Sequence, residues 1–187
     1  MRMSFLERIQ LCRLALQSVT ELLPEITRAA ELIGACLQSG KRVFACGNGG
    51  SAAEAMHFAT ELCGRYRSNR NALPAISLAS DGTAITCIGN DFGWEQIFAR
   101  QLAAHARPGD ILLAISTSGN SPNVVAALNM AQTLGVATVG LLGKGGGDAK
   151  ALCDNPIIIG SDDTGAIQEA HLVVIHLLCE CLEPRGS

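Results

Sequence analysis

Apolar positions recur on two different periods along this chain. From about Phe5 to Leu37, Leu, Ile and Ala return every three or four residues, with one break near Leu23-Pro24. Residues at that spacing share a helix face, so the pattern predicts two helices as a preface over about 5–37. After Gly40 the pattern changes to short apolar runs that stop at Gly, Ser or Asn, at 43–46, 75–78, 111–115, 137–141 and 157–159. Helix-period stretches separate these runs, and the last helix is expected from about 166 to 182. Alternation of strand and helix predicts an α/β fold, a five-stranded parallel sheet flanked by helices on both faces. No repeat or linker divides it, so residues 1–183 read as a single domain. The ending Pro184-Arg185-Gly186-Ser187 resembles the remnant of a cleavable tag and is set apart as a tail. The one low-complexity patch, Gly143-Lys144-Gly145-Gly146-Gly147, reads as a mobile turn after the fourth strand.

Composition narrows the interior. Hydrophobic residues are 48% of the 187, aromatics only 4% and charged residues 17%. The core must therefore be built from Ala, Leu, Ile and Val, which suits a parallel sheet buried between helices. A net charge of −3 offers no basic field for a nucleic acid or an anionic membrane, so any anion must be held by a local site. Eight cysteines without a C-x-x-C pair read as buried thiols in a reducing compartment. Arg2, Glu7, Arg8 and Arg13 interrupt the start of the chain, and nowhere do 18 apolar residues run together. Neither an export signal nor a membrane segment is visible, and a cytoplasmic place is expected.

Two loops carry candidate chemistry. Cys46-Gly47-Asn48-Gly49-Gly50-Ser51 follows the first strand and opens a helix with Ser51 near its cap. Its glycines allow a tight turn that exposes backbone N–H groups at the positive end of a helix, a ready anion site. It matches neither the Walker A spacing nor a full G-x-G-x-x-G, so a nucleotide is not favoured. The second loop, Ser116-Thr117-Ser118-Gly119-Asn120-Ser121, follows the third strand and leads into a helix after Pro122. Its four hydroxyls exceed what helix capping needs and could surround a phosphate without a lysine. Should the first strand lie beside the third, both loops face one crevice.

Four helical positions add acid, base or metal-binding capacity. His57 and Glu61, four residues apart, share a helix face and offer an imidazole and a carboxylate to one ion or one substrate. On the last helix, Gln168 and His176 are eight residues apart, roughly 12 Å of rise. Joint contact with one ion then needs the ion between their tips or a second subunit. His171 is set off from them by helix phase and reads as structural or at an interface. His105 reads as a solvated residue, and Gly89-Asn90-Asp91 as a helix stop.

Assembled, these segments resemble the sugar isomerase (SIS) domain family, and within it the bacterial phosphoheptose isomerases, over almost the whole length. The resemblance is carried by Gly47-Asn48-Gly49-Gly50-Ser51, Ala55-Met56-His57-Phe58-Ala59-Thr60-Glu61-Leu62 and Gly64-Arg65-Tyr66-Arg67. It continues in Gly89-Asn90-Asp91-Phe92-Gly93, Ser116-Thr117-Ser118-Gly119-Asn120-Ser121 and Ile167-Gln168-Glu169-Ala170-His171. It implies aldose–ketose isomerisation of D-sedoheptulose 7-phosphate to D-glycero-D-manno-heptose 7-phosphate, the opening step toward activated heptoses of lipopolysaccharide and related glycoconjugates. It further implies one Zn²⁺ per subunit held by His57, Glu61, Gln168 and His176, with Glu61 and His176 as the acid/base pair. Substrate contacts fall on Asn48, Gly49, Gly50, Ser51, Glu61, Asn90, Asp91, Ser116, Thr117, Ser118, Ser121 and Gln168. A homotetramer with active sites near subunit contacts is implied as well. One departure stands out: many relatives carry a basic residue before Ile-Gln-Glu, where this chain has Ala166. The rival reading is a non-catalytic SIS interaction protein of the kind that associates with a replication initiator. Such relatives lack the carboxylate and imidazole present here at Glu61 and His176.

Overall fold

Five strands, β1 (Val43–Cys46), β2 (Ala75–Ser77), β3 (Ile111–Ser116), β4 (Ala137–Leu142) and β5 (Asn155–Ile158), form one parallel sheet in the order β2-β1-β3-β4-β5. The computed structural model describes residues 3–184. Met1 and Arg2, and Arg185, Gly186 and Ser187 of the expected tail, lie outside the described residues. Strands, the helical preface and the last helix fall within two residues of where the apolar runs place them. β2 ends at Ser77, because only 75–77 find partners on β1. β5 begins earlier, at Asn155, which aligns with Val139. Pro156 is tolerated there because β5 is an edge strand, and buried Asn155 is satisfied by donating its amide to the Glu25 carbonyl at 3.0 Å.

Strand alternation divides the core in two. Val43, Ala45, Ile111, Leu113, Ile115, Val139, Leu141 and Ile157 face a layer of α1 (Phe5–Glu21), α2 (Leu23–Gln38), α3 (Gly50–Cys63) and α7 (Thr164–Leu182). Phe44, Cys46, Leu112, Ala114 and Leu142 face the other layer, where α5 (Ala99–His105) and α6 (Pro122–Leu134) pack and α4 (Gly82–Phe92) contributes half-buried Ile85 and Ile88. Each large aliphatic side chain so buried stabilises by roughly 1.5–3 kcal/mol. α7 is long and apolar enough, by length and composition alone, to cross a membrane. In the fold its buried face is taken up by the sheet-side core instead.

The N-terminal helices are part of this layer. Ser4 caps α1 through a reciprocal box with Glu7, and Leu22 separates α1 from α2, which carries Pro24 in its first turn. Arg8 reaches from α1 to Asp163, the N-cap of α7, whose carboxylate also accepts the Ala166 N–H at 2.8 Å. The preface is thereby tied to the start of the last helix.

Two expectations are corrected here. The Gly143–Gly147 patch is ordered rather than a mobile turn. Its N–H groups and those just after it donate to the Ser116 carbonyl (3.3 Å, from Gly143), the Ser161 carbonyl (3.3 Å, from Lys144) and Asn120 Oδ1 (2.9 Å, from Asp148). The cysteines are not all buried: Cys63, Cys87 and Cys181 are exposed, as helix phase turns them outward. Burial pushes the thiols of Cys46, Cys153 and Cys179 up to about 12 and that of Cys36 up to about 11. None of these four is a thiolate at neutral pH.

The Asp163 carboxyl is held below its usual range, first by the Ala166 N–H and then by the Arg8 guanidinium. A depressed folded pKa stabilises fully above the unfolded value of about 3.9, and that stabilisation fades as pH falls through the folded value. Asp163→Ala is expected to lower the melting temperature by about 3 °C at pH 7. Thermal denaturation across pH should show that deficit shrinking below about pH 4.

Candidate functional site

Because β1 lies beside β3 and runs parallel to it, the loops that leave their carboxyl ends meet above the same edge of the sheet. The first turn is so tight that a Cβ on Gly47 would stand 2.6 Å from the Ser51 carbonyl oxygen and 2.9 Å from that of Ile115. The two loops are clamped by a reciprocal amide pair. Asn48 donates to Asn123 Oδ1 and Asn123 to Asn48 Oδ1, each at 2.8 Å. Asn123 is fully buried in the first turn of α6. Its role escaped the sequence reading; a polar residue directly after the loop's Pro122 was the available signal.

The cleft between the loops measures about 180 Å³ and is lined by Asn48, Ser51, Ser116, Thr117, Ser121 and Gln168, together with Thr164 and Ile115. Gly49 and Gly50, between the lining residues Asn48 and Ser51, are the N-cap and first residue of α3. Ser51 is therefore not the cap but sits buried in the first turn. The N-termini of α3 and α6 carry no side-chain cap, unlike those of α1, α4 and α7. Ser51 of the first α3 turn and Ser121, the α6 N-cap, both line the cleft, so the positive ends of two helix dipoles lie beside it, which favours an anion.

The loop's hydroxyls are partly spent on its own shape. Ser116 Oγ accepts the Gly119 N–H at 3.1 Å and lies 3.3 Å from Ser121 Oγ, while Ser118 Oγ accepts the Asn120 N–H at 3.1 Å. Thr117 remains for a ligand, and Ser121 keeps the capacity its contact with Ser116 leaves over. Gly119 has φ +66°, and a Cβ there would run into the Gly146 carbonyl. The glycine-rich segment is thus a flush backing for the 116–121 loop.

A second constellation lies further along α3. His57 Nε2 stands 3.2 Å from His176 Nε2 and 3.3 Å from Glu61 Oε1. Tyr66 stacks on the His176 ring with centroids 5.6 Å apart, and Arg70 holds the end of α3 by donating to the Glu61 and Leu62 carbonyls at 2.8 and 2.9 Å. Two donors bound to one tetrahedral zinc stand roughly 3.3 Å apart, so these spacings fit neighbouring positions around such an ion, and nitrogen and oxygen are suitable donors. Among the described residues no three His, Cys, Asp or Glu donors close on a single point.

The structure separates the other expected contributors. Gln168 presses its amide on Gly50 at the cleft, whereas His57 is seven residues further along α3, about 10 Å of helix rise. Within one chain, Gln168 thus belongs to the anion cleft rather than to the His57, Glu61 and His176 group. Asn90 and Asp91 are exposed at the end of α4, where Asn90 donates to Asp91 Oδ1 at 2.7 Å. They do not line the cleft of this chain. Ala166 is buried, facing the core. His105 is exposed as expected.

Inorganic phosphate is expected to raise the melting temperature of the protein by binding this cleft. Gly119→Ala should lower the melting temperature by more than about 4 °C, through left-handed strain and the carbonyl clash, and abolish the phosphate effect. A wild-type melting curve in Gly119→Ala would refute the flush packing.

Comparison with known proteins agrees with this geometry. Residues 9–143 match the SIS domain family. The phosphoheptose isomerase of Campylobacter concisus is 49% identical over 87% of this chain and 86% of its own length. That of Trichlorobacter lovleyi is 52% identical over 87% and 83%. Among solved structures, a phosphoheptose isomerase from Francisella tularensis superimposes with a TM-score of 0.90 at 36% identity, covering 96% of this chain and 98% of that one. With its parallel sheet, its paired loops and its His57, Glu61 and His176 group, this chain belongs to the phosphoheptose isomerase family of SIS-domain enzymes.

Proposed function

We propose that this enzyme interconverts D-sedoheptulose 7-phosphate and D-glycero-D-manno-heptose 7-phosphate, with the phosphate in the cleft between the α3 and α6 N-termini. The meeting of Glu61, His57 and His176 on two facing helices carries this reading, because an anion cleft alone would serve a binding protein equally well. Distance supports it. From Gly50 to His57, α3 rises about 10 Å. An extended seven-carbon sugar spans a similar distance from its phosphorus to its reacting carbons, at about 1.2 Å per single bond.

Isomerisation needs a base at the carbon beside the carbonyl and an acid at the carbonyl oxygen. Glu61 takes a proton from C1 of the open-chain ketose, and the released electron pair forms the C1=C2 bond while His176 protonates O2. Glu61 then returns the proton to C2 of the enediol, and the O1 proton passes back to His176 as the C1 carbonyl forms. Tyr66 and His57 keep the His176 ring in place through stacking and the short nitrogen contact. Zinc held by His57, Glu61 and His176, with Gln168 as a further donor, would polarise the substrate's carbonyl and hydroxyl oxygens. The His57–His176 and His57–Glu61 spacings support these three donors pairwise, and Gln168 would have to come from a neighbouring subunit.

We also place the enzyme in the cytoplasm as a homotetramer. The outward face of α1 supports assembly: Phe5 is 88% exposed, Leu6 80% and Ile9 63%. Such a contiguous apolar stripe favours burial against another subunit. Asn90, Asp91 and Gln168 could then complete a neighbour's site.

Three outcomes test these readings. Purified protein given sedoheptulose 7-phosphate should form the heptose 7-phosphate, and Glu61→Gln or His176→Asn should slow turnover by about 10²- to 10⁴-fold with the fold intact. An inactive wild type, or Glu61→Gln as fast as wild type, sinks the mechanism. Chelation should remove most activity and zinc should restore it; an unaffected rate would exclude the metal role. Light scattering should give fourfold the 19.5 kDa chain mass, and Ile9→Glu should yield smaller species if α1 lies in the interface.

A further inference from the structure

Helices α3 and α7 meet in the same order along one seam. Gly50 touches Gln168, Glu54 faces His171, and His57 meets His176. The first and last of these contacts build the two functional regions described above. The middle one has no part in the chemistry. His171 is fully buried and Glu54 is 8% exposed, and sequence phase alone had set His171 apart from its neighbours. Its Nδ1 stands 3.6 Å from Glu54 Oε2, and neither that oxygen nor either ring nitrogen has a hydrogen-bond partner among the described residues.

A buried polar pair with loose geometry is a poor source of stability. Apolar side chains of similar volume generally hold a helix interface at least as well. Otherwise α3 and α7 contribute apolar residues to their shared core, among them Ala55, Phe58, Ala170, Val174 and Ile175. Such contacts are non-directional, and small alanines permit sliding of one helix on the other. A polar pair restricts that freedom, because a shifted helix leaves both groups buried opposite hydrocarbon. Small displacements matter here: about 1 Å of misplacement between reacting groups can cost 10²-fold in rate.

We propose that Glu54 and His171 are positioning residues which set the register of α3 on α7, and so bring His57 and Glu61 to His176 and Gly50 to Gln168. The pair specifies where the helices meet rather than how strongly. The turnover readout rests on the isomerase reading, whereas the two physical readouts below do not.

The test is a double-mutant cycle on the full chain with Glu54→Met and His171→Leu, together with Glu54→Asp, which keeps the charge but shortens the reach. Each apolar single variant strands a buried polar partner and should lower the melting temperature by about 10 °C. The double variant should recover to within about 3 °C of wild type, yet keep kcat at least about tenfold down. With only four histidines in the chain, ¹⁵N imidazole spectra should show His57 and His176 shifted in the folded double variant. Full recovery of kcat and of wild-type imidazole signals overturns the proposal. So does a double variant as unstable as the singles, since the pair would then serve stability. Should the double variant fail to fold, Glu54→Asp decides: folded protein with wild-type imidazole signals and kcat overturns the proposal, and a folded protein with shifted signals and a tenfold loss sustains it. An inactive wild type sinks the isomerase reading alone, leaving melting temperatures and imidazole signals to judge the pair.

Discussion

The parallel pairing of β1 with β3 is the constraint on which the rest of the molecule depends. Parallel neighbours release their following loops at the same edge of a sheet, so two helix N-termini are brought together without any contact between the loops being needed first. The Asn48–Asn123 amide pair then closes what the pairing has made adjacent. An anion placed there would lie at the positive ends of two helix dipoles, so the proposed phosphate site needs no lysine in the cleft.

From that edge, α3 acts as a rigid ruler. Its N-terminus belongs to the anion cleft and its later turns carry His57 and Glu61, so one element fixes the distance between the recognition of a charged group and the chemistry at the far end of a ligand. α7 runs alongside and repeats the arrangement with Gln168 and His176. Sites carried by regular helices are held more tightly than sites carried by loops. The scarcity of aromatics serves the same end: alanines such as Ala55, Ala59, Ala166 and Ala170 in the shared core let α3 and α7 approach closely. Tyr66, the chain's one tyrosine, packs on His176.

Support for these parts comes from segments with no chemistry of their own. The glycine-rich turn after β4 backs the 116–121 loop so closely that a side chain at Gly119 or Gly147 would clash. Arg8 holds the start of α7 through Asp163, while Arg70 satisfies carbonyls at the end of α3 beside Glu61. Both arginines thus act at helix termini, where backbone groups lack intrahelical partners.

Much of this was legible in the amino-acid order, since short-range rules govern it. The two periods of apolar residues locate the helical preface and all five strands to within two residues, and the clustered hydroxyls and glycines single out the two loops that meet in the cleft. His57 and Glu61 share a face by helix geometry alone. The sequence could not show that Asn123 locks the loops, that Gly146 backs Gly119, or that Gln168 sides with the cleft while His176 joins His57. It set His171 apart as structural, but could not name its partner Glu54, which lies on another helix. Periodicity is a local property of the backbone, written into neighbouring residues. Register between elements distant in sequence is decided only when side chains compete for the same buried space, and that competition exists in the folded chain alone.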